Sequence, residues 1–173
     1  MRDCSWVPSC FENIHPKDFD CTSDSTALEA VKYNCIAWAA GIDNEWWWPL
    51  SLTGYDWPGI RREVAGQETI ENFVSAFETK GFKTCKHSGY ENGFEKIAIY
   101  VDDNGHPKHA ARLLPTGVWT SKLGDDEDIE HITLRCLEGR EYGRARVFLK
   151  RPNSLFHRPN WLMRCLQRLL RTK

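Results

Sequence analysis

The sequence lacks most of the signals that assign a function quickly. It has no cysteine pair at the close C-x2–4-C spacing of a zinc knuckle and no GxxxxGK[ST] or GxGxxG loop for phosphates. No apolar run approaches the roughly 20 residues that a membrane-spanning helix needs. These absences argue against structural zinc, nucleotide and dinucleotide chemistry, and helical membrane proteins. A net charge of −1 gives no global field for nucleic acid. Met1 to Pro8 contains no apolar stretch of the secretory-leader kind, so the expected compartment is a reducing cytoplasm, with leaderless export as the alternative. Seven cysteines cannot all pair, and in that compartment most are expected to be thiols. Cys4, Cys10, His15 and Cys21 cluster near the N-terminus without a standard ligand spacing, so neither a metal nor another cofactor is expected.

What is present is enough for one folded domain: 173 residues, 41% apolar and 12% aromatic. The most informative segment is Asn34-Cys35-Ile36-Ala37-Trp38-Ala39-Ala40-Gly41, a short apolar helix with Asn34 as N-cap and Gly41 as C-cap. Cys35 then falls at the first helical position, where unpaired N–H groups bias a thiol toward the nucleophilic thiolate. A small buried cysteine would suit the same sequence. About seventy residues later, His109-Ala110-Ala111-Arg112-Leu113-Leu114 reads as a strand opening on an imidazole, the base that a thiol nucleophile needs.

Residues 1–23 read as an irregular arm directed by Pro8 and Pro16. Asp24–Val31 is helix-compatible and leads into the Cys35 helix. Glu68–Lys80 carries Ile70, Phe73, Val74 and Phe77 at helical spacing and stops at Gly81. From there to about Lys150 the pattern is an antiparallel meander: Phe82–Cys85, Lys96–Val101, His109–Leu114, Val118–Gly124 and Gly143–Leu149. The expected fold class is α+β, with N-terminal helices packed on an antiparallel sheet over residues 1–150 and a basic helix over 151–173.

This order of parts resembles the compact bacterial branch of the papain-like superfamily, which includes cell-wall amidopeptidases and CHAP amidases. The match is one of layout, over about residues 30–150. More specifically, Asn34-Cys35-Ile36-Ala37-Trp38-Ala39, Trp46-Trp47-Trp48-Pro49, Lys96-Ile97-Ala98-Ile99-Tyr100, His109-Ala110-Ala111-Arg112 and Trp119-Thr120-Ser121-Lys122-Leu123-Gly124 look like an uncharacterised bacterial domain family. The papain-like resemblance implies a Cys35 nucleophile, a His109 base and a polar orienting residue on the next strand. Folding the hairpin about Pro115-Thr116-Gly117 sets Leu114 opposite Val118 and makes Ser121 a diagonal neighbour of the imidazole. Asp128 and His131, in the acidic stretch that follows, are also within reach of the same place; such a stretch more often forms a solvated turn.

Trp46, Trp47 and Trp48 are candidates for a substrate groove, with Asn34 beside them, and equally for a core cluster. Arg151 to Lys173 holds six bases and no acid, leaving 17 bases against 24 acids in residues 1–150. Trp161, Leu162, Cys165, Leu166, Leu169 and Leu170 form an apolar face suited to docking on the acidic domain or to a membrane surface. The expected activity is that of a cysteine-dependent hydrolase or acyltransferase acting on an amide bond of a protein or peptide, in a peptidase, amidase, deamidase or toxin setting. The alternative is a non-enzymatic protein-binding or immunity-type module using the Trp-rich loop and the basic tail.

Overall fold

The computed structural model describes residues 4–22, 31–49, 57–58 and 67–153. The Asp24–Val31 segment lies almost wholly outside the described residues, as does the tail beyond Asn153.

Among the described residues, seven antiparallel strands form one sheet beside the helices, so the α+β class holds. In chain order the elements are α1 (Val7–Cys10), β1 (Phe19–Cys21), α2 (Cys35–Ala40), α3 (Ile70–Glu78), β2 (Lys83–Cys85) and β3 (Phe94–Val101). There follow β4 (Pro107–Leu113), β5 (Trp119–Lys122), β6 (Asp128–His131), a 3-10 turn (Leu134–Leu137) and β7 (Arg144–Pro152). Thr69 caps α3 by accepting from the Asn72 N–H, and its buried face presents Phe73, Ala76 and Phe77.

The sheet order is β1-β6-β5-β4-β3-β7-β2. Strands β3 to β5 form the expected meander and β6 extends it unexpectedly, but β7 returns to the far edge of β3 and inserts between it and β2. Two other expectations are corrected. The N-terminal arm is partly regular, because β1 pairs with β6 through Asp20↔Glu130, and the acidic stretch taken for a solvated turn contains β6 itself. A disulfide joins Cys4 to Cys21, while Cys10, Cys35, Cys85 and Cys136 are free. The bridge uses two members of the N-terminal cysteine and histidine cluster.

Strand alternation divides the core in two. Ile97, Ile99, Val101, Ala110 and Leu149 face α2, α3, Trp47 and Phe82. Ala98, Tyr100, Ala111, Leu113, Trp119 and Ile129 face the arm residues Val7, Phe11 and Ile14 and the 3-10 turn. Both faces of the sheet are therefore covered. No helix among the described residues is long and apolar enough to cross a membrane.

Candidate active site

Asn34 starts α2. Its backbone is extended (φ −116°, ψ −179°) and its Oδ1 accepts the Ala37 N–H at 3.1 Å. Its Nδ2 donates to the Trp47 carbonyl at 2.7 Å, so one side chain both caps the helix and pins the tryptophan segment. Gly41 ends the helix at φ 87°, a left-handed conformation that glycine adopts without strain. Trp38 fixes the helix to the sheet: its Nε1 donates to Thr120 Oγ1 at 3.2 Å, and the Arg112 guanidinium lies 5.0 Å over its ring.

Hydrogen-bond parity puts the Cys35 sulfur at the edge of β4. Leu114 donates its N–H to Val118 across the hairpin, and alternate residues of a strand face the same neighbour, so Arg112 and Ala110 also direct their N–H groups toward β5. The β4–β5 pairing ends at Arg112↔Thr120, although both strands continue. At the next position in that row, the Ala110 N–H stabilises the thiolate of Cys35. The sulfur thus sits where the ladder opens, beside the residue that follows His109.

Placement at the helix start does not make this thiol acidic. Cys35 is only 7% exposed, and burial pushes its pKa up to about 11, outweighing the N–H groups of Ala110, Cys35 and Ile36 and the charge of Lys122. The expected bias toward thiolate is therefore overturned by desolvation, and the resting group is a neutral thiol.

His109, Ser121 and His131 form a buried chain on the arm side of the sheet. His109 Nε2 and His131 Nε2 each lie 3.0 Å from Ser121 Oγ, and His131 Nδ1 lies 2.8 Å from the Thr133 carbonyl oxygen. Burial holds the pKa of His109 well below its ordinary value and that of His131 down to about 4, so both rings are neutral at pH 7. Donor counting then fixes every proton. A carbonyl only accepts, so His131 carries its proton on Nδ1 and its Nε2 accepts. Ser121 gives its one hydroxyl proton to that nitrogen and accepts from His109 Nε2–H. His109 Nδ1 is left with a bare lone pair, and it has no hydrogen-bond partner. Tyr142 stacks on the imidazole at 4.1 Å with 5° between the planes, and Phe11 of the arm meets Tyr142 at 5.2 Å.

The site residues expected from sequence separate into groups. Ser121 joins His109, in the anticipated hairpin register. Asp128 does not: its Oδ2 accepts from Tyr33 Oη at 2.6 Å, and it pairs with Lys122, whose side chain lies under Tyr33 on the helix side. Of the two residues considered for that place, His131 occupies it. Trp47 is fully buried, with Nε1 on Glu45 at 2.8 Å, whereas Trp46 and Trp48 are half-buried and Trp48 donates to Glu68 at 2.9 Å. Tyr142 carried no sequence signal, since only the long return of β7 brings it to His109.

Residues 24–150 match a family described only as a domain of unknown function, DUF7689. The chain belongs to that family. The DUF7689 span holds Cys35, His109, Ser121, His131 and Tyr142, and leaves out the arm with β1 and the basic tail. No curated protein and no solved structure matches the chain.

Proposed function

We propose that this DUF7689 chain is a papain-like, cysteine-dependent hydrolase or acyltransferase that acts on an amide bond of a protein or peptide, with Cys35 as nucleophile and His109 as base. The observation that carries this reading is the bare Nδ1 of His109: a neutral imidazole whose other nitrogen is held by Ser121 while the free one keeps its lone pair. That is the state a general base must hold before it takes a proton from a thiol. The order of elements, cysteine at a helix start and histidine on a later strand, resembles the papain-like layout and supports this reading.

Because the thiol is neutral at rest, deprotonation accompanies attack. Cys35 sulfur bonds to the amide carbon, its proton passes to His109 Nδ1, and the carbonyl π electrons move to oxygen. The C–N bond then breaks as the tetrahedral adduct collapses, and Nδ1 returns the proton to the leaving amine. Water or an acceptor amine releases the acyl group from sulfur by the same steps. No hydrogen bond joins Cys35 to His109 in this state: Cys35 belongs to the helix-side core and His109 to the opposite, arm-side face of β4, so this reading requires the two groups to meet around the open end of the β4–β5 ladder when substrate binds. A binding-module role for the tryptophans gains no support from Trp47, which is a core residue.

Cys136 is the control for reactivity, being buried like Cys35, at 3% against 7% exposure. Peptide mapping after iodoacetamide treatment at pH 7.5 should show Cys35 labelled about tenfold or more faster than Cys136, with His109→Ala removing the difference. Labelling in order of exposure alone, Cys10 first and Cys35 no faster than Cys136, would return Cys35 to the core.

A further inference from the structure

We propose that His131, acting through Ser121, is the positioning residue that decides which nitrogen of His109 is the base, and that a proton taken up by His131 switches the site off. This rests on the reading of His109 as base, and deepens it to the regulation of that nitrogen. Ser121 has a single hydroxyl proton and an imidazole nitrogen on either side at 3.0 Å. Whichever ring accepts that proton forces the other to donate. With His131 neutral, its Nδ1–H is committed to the Thr133 carbonyl, so its Nε2 accepts and His109 must donate through Nε2. With His131 protonated, both its nitrogens donate, the hydroxyl turns round, and His109 Nε2 becomes the acceptor. Its proton then sits on Nδ1, where it blocks acceptance of the thiol proton.

The surroundings of His131 leave the switch to this chain of bonds. Its strand partners are Phe19 on β1 and Trp119 on β5, neither of which titrates. Asp20, Glu130 and Lys122 belong to the opposite face by strand alternation. The titratable groups on its own side are His109 on β4, Tyr142 stacked on His109, Tyr100 on β3 beside His109, Cys136, whose sulfur lies 3.4 Å from Thr133 Oγ1, and the Glu138 carboxylate at the end of the 3-10 turn, which acts on Tyr100. The phenols of Tyr100 and Tyr142 are held far above their ordinary pKa by burial, so neither carries charge in the working range. Of the two imidazoles, a protonated His131 would donate from both nitrogens, to the Thr133 carbonyl and to Ser121, whereas a second proton on His109 Nδ1 would meet no acceptor, so His131 is the group that takes the proton.

The test reads tautomers directly, by long-range 15N–1H correlation on the full chain labelled with 15N-histidine. Wild-type His109 should be the Nε2–H tautomer at pH 7. His131→Leu, which removes the acceptor, should move His109 toward Nδ1–H and slow Cys35 alkylation about tenfold or more. His131→Gln, which offers a carbonyl oxygen to Ser121, should restore both. An Nδ1–H tautomer in the wild type at pH 7 overturns the proposal without any variant, which covers the case of a His131→Leu chain that does not fold. A folded His131→Leu chain with unaltered His109 overturns it as well. If the tautomer moves as expected while His109→Ala leaves Cys35 alkylation untouched, the control by His131 stands and the thiol-hydrolase reading falls.

Discussion

Asn34 shows how much one polar side chain can carry when its donor and acceptor are used for different tasks. Its carbonyl oxygen caps α2 and its amide nitrogen holds the Trp47 carbonyl, so Asn34→Ala removes a cap and strands a buried acceptor. Those losses are each about 1 kcal/mol or somewhat more, and the variant should lose about 2–3 kcal/mol in urea unfolding. Asn34→Asp keeps the cap and cannot donate to Trp47, so it should fall between the two. Equal stability of the aspartate variant and wild type would show that the Trp47 bond contributes nothing. Cys35 makes a second point at this scale. Its place at a helix start is plain in the sequence, but the sign of its pKa shift is not, because burial depends on what α2 is pressed against.

At the scale of elements, the sequence was most legible where the structure-forming residues are neighbours in the chain. The caps Asn34, Gly41 and Thr69, the apolar spacing of α3 and the Pro115-Thr116-Gly117 hairpin are local, and each element formed within a few residues of its expected bounds. Ser121 was placed beside His109 by that same hairpin register. β6 was hidden because Asp128 and Glu130 hide the inward-facing Ile129 and His131, and β1 because three residues become a strand only by pairing with β6. Tyr142 depends on a longer path still: a loop closed by reciprocal bonds between Gly139 and Gly143, at 2.9 and 2.7 Å, sets it on His109. Gly143 has φ +74°, and a Cβ there would lie 2.2 Å from the Val101 carbonyl oxygen. Gly143→Ala must therefore push β7 away from β3. We expect a loss of about 2–4 kcal/mol, from strain and the forced shift together, and a faster hydrogen exchange of the Tyr142 segment. A variant as stable as wild type would mean that this loop moves freely over the imidazole.

Across the whole molecule, covering both faces of the sheet makes a polar chain possible inside the domain and makes the fold sensitive to acid. His109 and His131 are buried neutral, with pKa values below the roughly 6.5 of an exposed histidine in the unfolded chain. Below that value the unfolded chain binds more protons than the folded one, so stability falls as pH drops, by about 1.4 kcal/mol per unit for each histidine. For His131 the loss runs from about pH 6.5 down to about 4, and His109, also lowered by burial, adds a loss that begins at the same upper end. The carboxylates act in a different window: Glu91, bonded to Lys150, and Asp102, bonded to the His106 and Asn104 N–H groups, have lowered pKa values and cost stability only below the ordinary carboxylate range. Urea midpoints measured between pH 7 and 5 therefore isolate the histidines. The midpoint should decline through that interval in the wild type, and more shallowly in His131→Gln, which has one buried imidazole fewer to charge. A flat midpoint from pH 7 to 5 would mean that the two rings accept protons as readily inside the domain as in water, and with that the fixed tautomer of His109 would be lost.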